Sequence, residues 1–155
     1  MNTTERKLPE KLSDCLALAL EDLKAVELNP KYRVVMSNWH LPTPKGCEVC
    51  LAGAVMSQRL GALPTEMRSP AMDEHNDISP DDLNRLVAID ALRQGEIHRA
   101  LSLVGERVVR GPELDAFVQK YSIRVDSDEA YHWKNPENFH RLFQEMVLDL
   151  KELGL

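Results

Sequence analysis

The residues best suited to chemistry lie close together in the segment HLPTPKGCEVC, residues 40–50. His40 precedes two cysteines, Cys47 and Cys50, which have the spacing of a C-x-x-C pair. Thiolate and imidazole are good zinc ligands, and a thiol beside an imidazole can also act as a nucleophile. The segment therefore raises three hypotheses: a metal site, a reactive thiol, or the buried packing of small apolar side chains.

A structural zinc site needs four ligands, commonly two C-x-x-C pairs or one pair with two closely spaced histidines. Neither spacing is completed by the remaining candidates, Cys15, His75, His132 and His140. A three-ligand catalytic zinc site from His40, Cys47 and Cys50 stays open as an alternative. Zinc deaminases carry a glutamate two residues after such a histidine. Pro42 occupies that position here, which weakens the comparison.

Thiol chemistry is a further alternative for Cys47 and Cys50. A redox dithiol begins at a helix N-terminus directly after a buried strand. Here a proline-containing loop intervenes, and the negative charge of Glu48 opposes thiolate formation. A cysteine hydrolase would instead pair Cys47 or Cys50 with a histidine brought near by the fold, either His132 or His40.

Buried packing is the interpretation that we favour for both cysteines. A helix from 47 to 60 would place Cys47, Cys50 and Leu51 on one face, and a free cysteine behaves as a small hydrophobe. A glycine inside a helix costs up to about 1 kcal/mol relative to alanine. Close packing of a neighbouring element against Gly53 is the natural compensation. We therefore predict that Cys47 and Cys50 are part of the core.

The elements that must position these residues follow from hydrophobic periodicity and from turn residues. The pattern predicts helices over 9–27, 47–60, 80–94, 95–104, 112–121 and 136–153. The last of these has the clearest apolar stripe, from Phe139 to Leu153. A strand is predicted over 32–37, and the alternating segment 121–126 is a candidate to pair with it. The prediction is one domain, 1–155, mainly α with a minimal two-stranded β element, and α+β at most.

Three of the predicted helix starts share one arrangement, a capping residue followed by proline and an acidic side chain. They begin at Ser79-Pro80, Gly111-Pro112 and Asn135-Pro136. Proline suits the first helical position, and early acidic residues meet the positive end of the helix dipole. Asp81 and Asp82 are therefore expected to have a structural role. The connection over 62–78 has no periodicity and is predicted to be irregular.

Composition limits the function classes. The 155 residues include 25 acidic and 19 basic side chains, a net charge of −6, so direct binding of nucleic acid is not expected. The polar start MNTTERKLPEKL and the short apolar runs predict neither a secretory signal nor a membrane span. Three cysteines without an export signal favour a reducing cytoplasm.

Two groups of residues are candidates for contacting a partner. Aromatic side chains are typical interface anchors, and acidic side chains can attract a basic partner. The predicted interaction residues are Trp39, Tyr131, Trp133, Asp73, Glu74 and Asp77. The last three belong to the acidic segment MDEHNDISPDD at 72–82.

A resemblance to known proteins rests on two segments, VVMSNWHLPTPKGCEVCLAGAVMSQRLG and LVAIDALRQGEIHRAL. Over residues 32–104 the chain resembles small proteins of unknown function from tailed bacteriophages and prophages. These share a W-H pair, then C-x-V-C-L-A-G-A-V-M, then L-x-A-L-x-x-x-R-x-G. The resemblance implies a phage-type accessory protein that acts inside a bacterium, and it carries over no site residue.

We therefore expect a small acidic protein that binds a host or phage protein and has no catalysis or cofactor of its own. One alternative is a metal- or thiol-dependent activity centred on Cys47, Cys50 and His40, with zinc as the possible metal. A second is a self-associating structural component, since the stripe of the last helix could be buried within the domain or across a homodimer.

Overall fold

A computed structural model, which describes residues 5–70, 77–105 and 111–155, shows a mainly helical chain with a small sheet. Within these residues the helices are α1 (Leu12–Glu27), α2 (Leu51–Arg59), α3 (Pro80–Arg93), α4 (Ile97–Leu103), α5 (Pro112–Arg124) and α6 (Pro136–Glu152). The strands are β1 (Tyr32–Val34), β2 (His40–Leu41) and β3 (Cys47–Val49). The predicted fold class is confirmed, although the sheet has three strands where two were expected.

Helix α1 forms the centre of the molecule and packs against α2, α3 and α6. Its predicted apolar stripe is entirely buried: Leu12, Cys15, Leu16, Ala19, Leu23 and Val26. The stripe of α6 is buried within the same chain from Phe139 to Leu150. Burying a large apolar side chain contributes roughly 1.5–3 kcal/mol, so these two facing stripes supply much of the stability of the fold.

The sheet lies between α1 and α2 in sequence, and β3 is its central strand. β1 pairs with β3 in parallel, with Tyr32 opposite Cys47. β2 pairs with the other edge of β3 in the antiparallel direction, with His40 opposite Val49. The pairing brings His40 and Cys47 close together, although they come from two different strands.

The start of α2 depends on a close backbone contact. The sulfur of Cys50 accepts a hydrogen bond from the Gly53 amide at 3.4 Å and so caps the helix. A Cβ atom at position 53 would lie 1.6 Å from the carbonyl oxygen of Trp39, a distance no side chain can tolerate. The predicted close approach at Gly53 is therefore confirmed, and the neighbour is the chain just before β2.

The predicted helix starts at the three prolines are confirmed. The hydroxyl of Ser79 accepts a hydrogen bond from the Asp82 amide, and the side-chain oxygen of Asn135 accepts one from the Asn138 amide, both at 3.1 Å. Gly111 has no side chain to cap α5, and that helix begins with Pro112 in the first turn. The N-terminal ends of α3 and α6 thus satisfy part of their free amides through their own sequence.

Two predicted elements are wrong. Cys47 lies in β3 and not in a helix, because pairing with β1 and β2 holds residues 47–49 extended. The segment 121–126 is not a strand, since α5 continues through Arg124. Its alternating pattern overlaps a helical one: Leu114, Phe117 and Tyr121 are the buried residues of α5 and lie on one helical face. The strand predicted over 32–37 is shorter and ends at Val34.

The segment before α1 is tied to α3 by a buried carboxylate. Asp82 accepts hydrogen bonds from the amides of Lys7 and Leu8 at 2.9–3.1 Å. One turn later the guanidinium of Arg85 donates to the carbonyl oxygen of Pro9 at 2.7 Å. Asp82 therefore has the structural role that the sequence predicts, and it acts on a segment 74–75 residues away.

Across residues 5–70, 77–105 and 111–155, none of the helices combines the length and the apolar character that crossing a membrane requires.

Candidate functional site

The sheet places the side chains of His40 and Cys47 in contact inside the core. The sulfur of Cys47 lies 3.6 Å from Nδ1 and 3.7 Å from Nε2 of His40. These nearly equal distances show that the sulfur is not aligned on one ring nitrogen. Nδ1 of His40 lies 2.6 Å from the carbonyl oxygen of Glu66, to which an Nδ1–H group donates. The contact is a buried one, with His40 only 1% and Cys47 only 2% exposed.

The environment of this pair favours the neutral forms of both groups. Burial lowers the pKa of His40. Burial also raises the pKa of Cys47, and the nearby charge of Glu48 acts in the same direction. An imidazolium–thiolate pair, which an activated cysteine nucleophile requires, is therefore disfavoured here.

The other two cysteines are also buried and free. Burial raises the pKa of Cys50 to about 12 and that of Cys15 to about 11. The sulfur of Cys50 caps α2 and does not join His40 and Cys47 in a cluster of ligand atoms. Among the described residues, one group of three or more His, Cys, Asp or Glu side chains has the geometry to hold a metal ion. That group contains no cysteine.

The predicted interaction residues separate into different environments. Trp39 is 8% exposed and belongs to the hydrophobic core, so its side chain is not a surface anchor. Asp77 forms an ion pair with Arg68 at 2.5 Å. Asp73 and Glu74 lie outside the described residues, and their predicted role stays a prediction.

Tyr131 and Trp133, in contrast, form an exposed aromatic pair. Trp133 is 76% and Tyr131 41% exposed. Their rings are stacked, with centroids 6.2 Å apart and planes 15° from parallel. The ammonium group of Lys134 lies over both rings, 5.4 Å from the centroid of Trp133 and 5.5 Å from that of Tyr131.

A depression of about 480 Å³ adjoins this pair. Its lining combines the aromatic pair with the end of β1, the chain after it, and the region after α5, and includes Arg33, Val34, Met36, Val125, Tyr131 and Trp133. A second depression, of about 510 Å³, shares Arg33, Val34 and Trp133 with the first and continues to Glu27. Leu28, which follows Glu27 directly, is 87% exposed. We call the side chains of Tyr131 and Trp133, with the two depressions, the Trp133 surface.

A cluster of three polar side chains lies at the edge of this surface. Nε2 of His132 is 2.5 Å from Oε2 of Glu27. Nε2 of His140 is 2.9 Å from both carboxylate oxygens of Glu27. One potential metal-ligating atom from each residue lies within 4.8 Å of those of the other two. Of the two histidines considered as partners for a cysteine, His132 contacts Glu27, whereas His40 contacts Cys47.

Three different elements supply the cluster. Glu27 is the last residue of α1, and His140 lies in the second turn of α6. His132 follows a short 3₁₀ helix, Asp128–Ala130, and its ring packs edge-on against Phe139 with centroids 5.3 Å apart. Because Phe139 is fully buried, this contact fixes the imidazole of His132 against the core.

Sequence reasoning identified the two histidines as possible ligands but missed Glu27. The pairs are 105 and 113 residues apart, so no local motif joins them. The available signal was indirect: Glu27 ends α1, and an early histidine of α6 would meet it if the two helices packed antiparallel.

No protein-family model, no curated protein and no solved structure matched the chain in comparisons with each.

Proposed function

We propose that this chain is a non-catalytic accessory protein of phage type, which acts inside a bacterial cell by binding another protein through the Trp133 surface. The observation that carries the proposal is the exposed, stacked pair of Tyr131 and Trp133 beside an apolar depression. The resemblance of residues 32–104 to small phage and prophage proteins supports the cellular setting.

Both rings expose apolar area to water, and burying that area against a partner is favourable. Tryptophan and tyrosine are the side chains most enriched among residues that dominate binding energy at interfaces. Trp133 and Tyr131 already hold each other and Lys134, so little side-chain freedom remains to be lost on binding. The two rings are exposed side by side, and contiguous apolar patches mark interaction sites more often than isolated residues do.

The occupant that fits is a protein that inserts an apolar side chain into the depression next to Trp133. At long range the net charge of −6 attracts a basic protein and speeds the encounter, whereas Arg33 and Lys134 beside the depression suit an acidic group of that partner at the contact itself. Complex formation should then slow as salt is added, because ions screen long-range attraction.

Site-specific photocrosslinking tests the proposal. A photoreactive amino acid replaces Tyr131 in one variant and Leu148 in a control, and both are expressed in bacteria. Leu148 is a suitable control because it is 63% exposed and lies in α6. We expect one major crosslinked protein from position 131 and none from position 148.

The identified protein is then purified and titrated against the chain. We expect Trp133→Ala to weaken the complex by more than about thirtyfold, as for a central interface tryptophan, and Leu148→Ala to leave it unchanged. Equal crosslinking from both positions, or an affinity unaffected by Trp133→Ala, would overturn the proposal.

A second function, dependent on a metal or a thiol at His40, Cys47 and Cys50, has one observation in its favour, the contact between His40 and Cys47. Against it stand the burial of both side chains and the directions of their pKa shifts, which oppose formation of a thiolate. The accessory binding function is the better supported of the two.

A further inference from the structure

The cluster of Glu27, His132 and His140 has the donor set of a metal site. It offers two imidazole nitrogens and a carboxylate, all directed at one another. Two histidines and one carboxylate form the protein ligands of many zinc and non-haem iron centres, in which the remaining coordination positions stay open. We propose that Glu27, His132 and His140 bind one divalent transition-metal ion of the zinc class.

The geometry requires only a small rearrangement to accept the ion. Ligand atoms bonded to one ion at about 2.1 Å lie roughly 3.0–3.4 Å apart in octahedral or tetrahedral geometry. The Nε2 atoms of His132 and His140 lie 2.5 and 2.9 Å from Oε2 of Glu27. The ligand atoms of all three residues lie within 4.8 Å of one another, so side-chain movements of about 1 Å would convert the two hydrogen bonds into three metal–ligand bonds.

The proton balance of this exchange is simple. Without metal, an Nε2–H group of each imidazole donates to the carboxylate of Glu27, which is the arrangement that these distances describe. Metal binding needs a lone pair on each Nε2, so the proton on that nitrogen leaves, either to Nδ1 of the same ring or to solvent. The ion thus replaces the two hydrogen atoms that the rings share with the carboxylate.

The position of Glu27 favours a cation. Its carboxylate is at the C-terminal end of α1, where the helix dipole is negative and repels another negative charge. A divalent ion is stabilised by both the carboxylate and the helix end. The Glu27 side chain is 23% exposed, whereas those of His132 and His140 are 9% and 11% exposed. An ion can therefore enter past Glu27 and find two ligands that are already held in the core.

The second coordination shell limits the expected affinity. Nδ1 of His140 is buried and has no hydrogen-bond partner among the described residues. Ligating histidines usually donate this second N–H group to an acceptor, and loss of such a partner weakens metal binding by about 10–100-fold. We therefore expect reversible binding, weaker than in a structural zinc site that is required for folding.

The experiment is a titration of the purified, metal-free chain with zinc chloride and, separately, cobalt chloride in a non-chelating buffer. We expect one ion per chain, and a cobalt spectrum of nitrogen and oxygen ligands without thiolate charge transfer. Glu27→Gln should weaken zinc binding by more than about tenfold, because the amide keeps the shape but loses the charge. His98→Ala is the matched control, an exposed histidine on α4, and should leave the affinity unchanged.

A measurement on the wild-type chain removes the dependence on folding of the variants. Among the five histidines, the imidazole NMR signals of His132 and His140 should shift with added zinc and saturate together. Shifts of other histidines alone, a thiolate band with cobalt, no saturable binding, or an unchanged affinity in Glu27→Gln would each overturn the assignment. Because the readout is metal binding and not partner binding, its outcome is independent of the proposed function.

Discussion

The behaviour of single residues in this protein depends strongly on burial. His40, Cys47 and Cys50 have the types and the spacing of a reactive site, yet the protein surrounds them with apolar side chains. Removing a thiol from water disfavours the thiolate, which is the nucleophile and the metal ligand. In a cleft open to solvent, the same three residue types would have supported a reactive thiol or a metal site.

We predict that all three cysteines resist thiol reagents in the folded protein. With pKa values of about 11 and about 12, Cys15 and Cys50 remain almost entirely protonated at pH 8. Reaction with a chromogenic disulfide should be more than about 100-fold slower than in urea, where the thiols regain ordinary pKa values. Ser102→Cys, at an exposed position of α4, provides the fast-reacting control. A native thiol that reacts in the folded chain as fast as this introduced one would contradict the prediction.

The same shifts predict a pH dependence of stability. The folded-state pKa of each thiol is raised above its ordinary value of 9.0, so the unfolded chain loses the proton first as pH rises. The stabilisation that each buried thiol gives to the folded state is therefore complete below pH 9. Above pH 9 the free energy of unfolding falls by up to about 1.4 kcal/mol per pH unit for each thiol. Urea unfolding at a series of pH values from 8 to 11 measures this loss. Replacing Cys50 by alanine should make the decline of the free energy of unfolding with pH less steep. An unchanged slope would contradict the contribution assigned to Cys50.

Burial of the cysteines could be predicted from the sequence, but the element that buries Cys47 could not. Small apolar residues after position 47 suggest a helix by composition, and local pattern alone does not reveal a strand of three residues. β3 exists because β1 and β2 pair with its two edges, which is a tertiary effect. Gly53 was the informative residue, since a glycine inside a helix indicates a close neighbour.

At the scale of elements, the carboxylate of Asp82 joins the start of the chain to α3. It is 1% exposed and accepts hydrogen bonds from two backbone amides of a segment that otherwise has no regular structure. A buried amide that loses its acceptor costs about 1–3 kcal/mol. Asp82 therefore holds the N-terminal segment over the core together with Arg85, which donates to the carbonyl oxygen of Pro9.

We predict that Asp82→Ala lowers the free energy of unfolding by about 2–4 kcal/mol, since the buried amide of Leu8 and the partly buried amide of Lys7 lose a charged acceptor. Hydrogen exchange should become faster first at the amides of Lys7 and Leu8. Asp81→Ala serves as the control at the neighbouring, exposed position of the same helix. Equal losses of stability in both variants would show that the effect arises from the first turn of α3 and not from the N-terminal segment.

The order of the helices was predictable because their starts are encoded locally, by Ser79, Gly111 and Asn135 with the prolines that follow. For the segment 121–126, in contrast, the local pattern predicted a strand where the structure has the end of α5. Over six residues, an alternating pattern and a helical stripe share several positions. The longer spacing from Leu114 through Tyr121 decides between them, because only a helix brings those side chains to one buried face.

At the scale of the whole molecule, only part of the candidate metal cluster and of the Trp133 surface could be predicted from the sequence. Trp133, Tyr131 and the two histidines lie in one region near the C-terminal third, and their residue types suggested a role. Glu27 comes from the opposite end of the chain, and α1 and α6 pack together to bring it to His140. Such a site depends on the global packing, which no short window of sequence contains.

We predict that the purified chain is a monomer of 17.6 kDa in solution. A homodimer was an alternative because the stripe of α6 could have been buried across an interface, but Phe139, Phe143 and Met146 are fully buried within one chain. Sedimentation at increasing protein concentration checks this. A dimer that dissociates in Trp133→Ala but persists in Leu148→Ala would identify a second copy of the chain as the occupant of the Trp133 surface, in place of a different protein.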